Sequence, residues 1–161
     1  MKKIILVTFM AILSFILSPT ILSQAKGLAP FKIIQPDGKA FRAQDLPAGN
    51  PVIIIYFSPD CEDCQKFTES MLSRMDDFWK ASIVMVTYLP VKDVAGFVSR
   101  YRLNIYPNIH VGTEGSTFIV RYYYNVKLFP FVVLLNKNGK VEKIWEREED
   151  IDDLANRLKA L

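Results

Sequence analysis

The chain reads as an α/β sandwich, a mixed central sheet flanked by helices and entered through a short N-terminal β-hairpin. Three observations predict it. Val52 to Phe57, Ile83 to Leu89 and Phe131 to Leu135 are unbroken β-branched, aliphatic and aromatic runs. Such runs suit strands covered on both faces. Between them, apolar residues recur at steps of three and four, as one face of a helix requires. After the last run, Asn136-Lys137-Asn138-Gly139 gives a tight turn and a second strand answers, a strong hairpin signal. Buried strands alternating with helices, then a hairpin and a final helix, define a layered α/β domain.

The elements follow in order. Phe31 to Ile34 is a short strand, Gln35-Pro36-Asp37-Gly38 a turn, and Lys39 to Arg42 the returning strand. Pro and Gly set the turn dihedrals at low steric cost. Leu46 to Asn50, with Pro47 and Gly49, is a loop. After the strand at 52–57, Ser58-Pro59-Asp60 breaks the chain. A helix follows, with Cys64, Phe67, Met71, Met75 and Phe78 on one face. Asp60 is expected to cap it, because a short carboxylate accepts from the orphan amides of the first turn. Pro90 opens another helix carrying Val94, Phe97, Val98 and Tyr101. Tyr106 to Val111 reads as extended, Gly112 to Gly115 as a turn, and Ser116 to Tyr124 as a short helix. Val141 to Trp145 completes the late hairpin, and Ile151, Leu154, Leu158 and Leu161 mark a terminal helix.

With 161 residues, the length fits one domain. Lys+Arg number 20 against 17 Asp+Glu, and no basic run reaches five residues. That balance speaks against a nucleic-acid partner. The first 25 residues read as a secretory signal and 26–161 as the domain. Lys2-Lys3 supplies the positive start, Ile4 to Leu17 the apolar stretch, and Ser23-Gln24-Ala25 the small residues before a cut. The expected location is therefore periplasmic or otherwise extracytoplasmic. The alternative is an uncleaved membrane tether. Ile4 to Leu22 contains Pro19 and barely reaches the ~20 residues a span needs.

Export changes the meaning of the two cysteines. A bridge between Cys61 and Cys64 closes almost no loop, so it constrains the unfolded chain little. Its use is chemical. Zinc would need two further ligands, and the chain has no other cysteine and one histidine, His110. No metal and no bound cofactor is implied, because a cysteine pair carries electrons itself. Cys61 falls at a helix N-terminus, where orphan amides favour an anion, and is read as the nucleophile. Cys64, one turn inward, is read as the resolving thiol. Asp60, Glu62 and Asp63 surround Cys61 with acids. A carboxylate at ~8 Å opposes a thiolate by about 0.5–1 kcal/mol, while the helix terminus contributes roughly 0.3–1 kcal/mol the other way. The thiolate is thus not strongly stabilised, which predicts a reductant rather than a strong oxidant.

The pattern resembles the thioredoxin family, and most closely its exported thiol–disulfide interchange branch. Ala29-Pro30-Phe31 with Pro36-Asp37-Gly38-Lys39 resembles that branch's opening hairpin. The strand at 52–57 followed by Cys61-Glu62-Asp63-Cys64 resembles its active-site turn. Tyr124 to Pro130 is similar to the segment ending in the family's cis-proline. The resemblance implies a thioredoxin-like three-layer sandwich and a protein-disulfide reductase type of enzyme. Pro130 would be cis beside the sulfurs, with Phe129, Pro59, Asp60, Glu62 and Asp63 shaping the site. It implies as partners the thiols and disulfides of exported proteins and an upstream membrane or periplasmic electron donor. Departures are the Glu-Asp pair between the cysteines, Asp60 where many members have tryptophan, and Ile55 where thioredoxins keep a buried acid. Rival readings share the fold. A copper chaperone would use Cys61, Cys64 and His110, and an adaptor would keep its cysteines oxidised. A peroxidase wants threonine three residues before the attacking cysteine, where Ser58 stands.

Overall fold

The computed structural model describes residues 27–147 and 150–161. The expected signal segment, 1–25, lies outside them. Seven strands form one sheet: β1 (Lys32–Ile34), β2 (Ala40–Arg42), β3 (Val52–Tyr56), β4 (Ser82–Thr87), β5 (Ile109–Thr113), β6 (Phe131–Leu135) and β7 (Val141–Glu146). Their order across the sheet is β2-β1-β5-β4-β3-β6-β7. β3 is parallel to β4, and β4 to β5, while β6, β7 and the β1–β2 hairpin run antiparallel to their neighbours. Every residue of β3, β4 and β6 is buried, as their unbroken apolar runs require.

Among the described residues five α-helices cover the sheet: α1 (Glu62–Ser73), α2 (Met75–Phe78), α3 (Val91–Tyr101), α4 (Ile119–Tyr124) and α5 (Ile151–Lys159). On one face, Cys64, Phe67 and Met71 of α1, Phe97 of α3 and Leu154 of α5 pack over Ile53, Ile55 and Phe57. On the other, Val120 and Tyr124 of α4 pack with Phe31, Ile54 and Val84. This is the three-layer arrangement the sequence predicts. No helix among the described residues is long and apolar enough to cross a membrane.

Three boundaries differ from the sequence reading, each for a local reason. The helix expected through Phe78 breaks at Arg74, whose backbone leaves helical space at φ −126°, ψ 30°. Its N–H closes a tighter turn onto the Met71 carbonyl at 3.1 Å. Residues 106–108 form a turn closed by the Ile109 N–H on the Tyr106 carbonyl, so the extended segment starts at Ile109. The strand then runs through Gly112 and Thr113, which had read as a turn. A Cβ at Gly112 would sit 2.8 Å from the Ile34 carbonyl and 2.9 Å from Ile33 Cβ. This glycine lets β1 approach β5; it does not turn the chain.

Candidate active site

β3 carries the chain to the site, and Phe57 extends its pairing through an N–H bond to the Val86 carbonyl. Ser58 to Cys61 then turn sharply, with the Cys61 N–H on the Ser58 carbonyl at 3.1 Å. The helix begins one residue later than expected, so Cys61 and not Asp60 is the N-cap of α1. The Cys61 Sγ accepts the Cys64 N–H at 3.3 Å, doing with sulfur what a capping oxygen usually does. Cys61 is half-buried and Cys64 is 1% exposed. One sulfur faces the surface and one faces the core.

Across from the cysteines lies the Phe129–Pro130 peptide bond, which is cis. The Cys61 thiol donates toward the Phe129 carbonyl at 4.0 Å. Pro130 is buried, and its own carbonyl accepts the Arg147 N–H at 2.8 Å. The Phe129 ring stacks on Tyr56 at 5.7 Å and lies 6.4 Å from the Tyr88 ring. Pro59 holds the turn from behind, its carbonyl accepting Gln65 Nε2 at 2.8 Å.

The three acids separate. Glu62 pairs with Lys66 at 2.6 Å, and that bond holds its carboxyl below the usual carboxylate range. Asp63 faces Arg147 at 3.9 Å. Asp60 is exposed, and among the described residues it has no ion-pair partner. The sequence presents the three as equal neighbours of Cys61; in the structure Asp60 is the one of the three without an ion pair among the described residues.

His110 is not part of this site. Its register with Val84 puts it on the α4 face of the sheet, opposite the Cys64 face. There it stacks on Phe41 with ring centroids 3.9 Å apart, and burial lowers its pKa. The three-ligand copper set read from sequence is not assembled, and no cluster of three metal-ligating side chains occurs among the described residues.

Sequence reasoning missed one group beneath the site. Glu114 is 5% exposed and accepts from Tyr56 Oη at 2.7 Å and the Val120 N–H at 2.7 Å. Burial and this bond to the carboxylate push the Tyr56 hydroxyl pKa upward. The one available signal was a lone acid directly after a strand. Tyr123 and Tyr124 hold residues 27–29 against the domain, the Tyr123 Oη accepting the Gly27 N–H at 3.2 Å. Tyr124 Oη donates to the Gly27 carbonyl at 2.8 Å and accepts the Ala29 N–H at 3.0 Å, and burial pushes its pKa up to about 12.

This architecture defines a thioredoxin-like fold with a cysteine pair at the start of its first helix. No family model and no curated protein matches the chain. Among solved structures, it is similar to a secreted Mycobacterium tuberculosis disulfide oxidoreductase homologous to E. coli DsbE. The identity is 21%, over 82% of this chain and 96% of that one, with a TM-score of 0.68. The exposed lipoprotein thioredoxin Etrx1 of Streptococcus pneumoniae is 23% identical over 81% and 98%, with a TM-score of 0.60. Arabidopsis thaliana ScoI, with copper bound, is 18% identical over 84% and 97%, with a TM-score of 0.65.

Proposed function

We propose that the protein is an exported thiol–disulfide oxidoreductase that delivers electrons to disulfides of other exported proteins. The observation that carries this reading is the asymmetry of the two sulfurs at the α1 start, opposite the cis Phe129–Pro130 bond. The Cys61 thiolate attacks one sulfur of a substrate disulfide, forms a mixed disulfide and releases the other substrate sulfur as a thiolate. Cys64 then loses its proton and attacks the Cys61 sulfur. The substrate leaves fully reduced, and the pair is left as a Cys61–Cys64 disulfide. Two electrons and two protons have moved to the substrate. An upstream electron donor restores the dithiol.

Direction and location rest on specific residues. Asp60, adjacent to Cys61 in the chain and without an ion pair among the described residues, opposes added negative charge at the helix start, which supports the reductive direction. Lys2-Lys3 and the apolar stretch from Ile4 support export. Copper carriage, which ScoI's bound metal brings to mind, lacks its third ligand here because His110 sits across the sheet.

The direct test is trapping. Cys64→Ser should accumulate mixed disulfides with exported proteins or a model disulfide, visible as diagonal-gel adducts that dithiothreitol releases. Cys61→Ser should trap nothing. Equal trapping by both variants, or none by either, would contradict the reading.

A further inference from the structure

One cation near the Phe129–Pro130 bond has no role in that exchange. The Arg121 guanidinium lies 5.7 Å from the Tyr88 ring centre, 5.8 Å from Phe118 and 5.8 Å from Phe129. Among the described residues no carboxylate lies within ion-pair reach of it. Aromatic faces hold a guanidinium through its plane and leave its N–H edges for a planar acceptor.

The surrounding backbone is built for this placement. Phe118 sits in the left-handed region at φ 48°, an uncommon conformation for a bulky residue. Strain of this kind persists only where the surroundings enforce it. Glu114 anchors the turn that follows, taking the Val120 N–H at 2.7 Å and lying 3.4 Å from the Arg121 N–H. The buried carboxylate thus engages Arg121 through its main chain. Phe129 joins cradle and chemistry, since its ring faces the guanidinium while its carbonyl lies 4.0 Å from Cys61 Sγ. Exposed Lys127 adds a second positive charge on the same loop.

We propose that a substrate segment held at Cys61 passes over Phe129, whose carbonyl lies 4.0 Å from the Cys61 sulfur, and that Arg121 receives a carboxylate from it as a specificity-determining residue, so that the preferred disulfides lie in acidic stretches. The proposal rests on the thiol–disulfide reading of Cys61. A planar carboxylate matches the guanidinium edge in two parallel hydrogen bonds.

The test uses the Cys64→Ser protein and two peptide disulfides identical except for Glu or Lys beside the cysteine. Mixed-disulfide formation is followed by acid quench and mass measurement. Roughly a 5–10-fold faster reaction with the acidic peptide is expected, shrinking as salt rises. Arg121→Gln should abolish the acidic preference, leaving the acidic-to-basic ratio at one or below because Asp60 remains beside Cys61, and Arg121→Lys should retain part of the preference. An unchanged ratio in Arg121→Gln overturns the proposal while leaving the exchange chemistry intact. Failure of Cys61 to react with either peptide overturns the exchange reading, and the proposal with it.

Discussion

At the scale of residues, a helix start makes two identical side chains unequal. Cys61 caps α1 and stays half-exposed, while Cys64 lies inside the first turn at 1% exposure. Charge around them is uneven too, since Glu62 and Asp63 form ion pairs and, among the described residues, Asp60 forms none. Asp60→Asn should therefore favour the thiolate and shift the potential of the pair to less negative values by ~10–20 mV, measured in glutathione buffers. Glu62→Gln should shift it less, because Lys66 already balances that charge. The Cys61–Cys64 spacing was legible because a motif is local, whereas the cis bond before Pro130 was expected only from the family resemblance. The Tyr56–Glu114 bond was not legible, because its partners are 58 positions apart and only the folded sheet brings them together.

At the scale of elements, two polar groups hold helices in place. Glu114 satisfies both Tyr56 Oη and the α4 amide of Val120 in a buried setting. Glu114→Ala leaves two buried donors unpaired and should cost about 2–4 kcal/mol of stability in urea unfolding. At the other end of the molecule, Asp77 joins the α1–α2 break to α5. Its carboxylate accepts from Arg74 at 2.8 Å and pairs with Lys159 at 2.8 Å. The hydrogen bonds from Lys159 and Arg74 lower its pKa below the ordinary 3.8. A depressed carboxylate contributes stability above its unfolded pKa and loses it as pH falls through the folded one. Wild-type stability should therefore fall below about pH 4, and Asp77→Asn should flatten that part of the profile. The strands were legible from unbroken apolar runs, and the helices from their periodicity. Boundaries moved at Arg74, where a tight turn onto the Met71 carbonyl ends the helix, and at Gly112, where the close approach of β1 decides the backbone.

At the scale of the whole molecule, the sheet order makes the hairpin β1–β2 an extension docked onto β5. Docking depends on Gly112, whose missing side chain admits the Ile34 carbonyl. Gly112→Ala should destabilise the protein by roughly 1–3 kcal/mol in urea unfolding, and the hairpin amides should exchange fastest. The layered architecture and the late hairpin were read from sequence because each layer left a local signature. The side of the sheet taken by His110 was not readable, since strand register sets it and no local signal encodes register. That placement separates the histidine from the cysteines.

The most direct measurement is the equilibrium redox potential of the Cys61–Cys64 pair in the domain from Lys26. It would be equilibrated in graded thiol/disulfide buffers, alkylated and counted by mass. A cooperative two-electron transition near or below roughly −200 mV is expected for a pair that delivers electrons. A value near roughly −120 mV would make the protein a disulfide donor. A pair that never forms a disulfide would contradict the central claim.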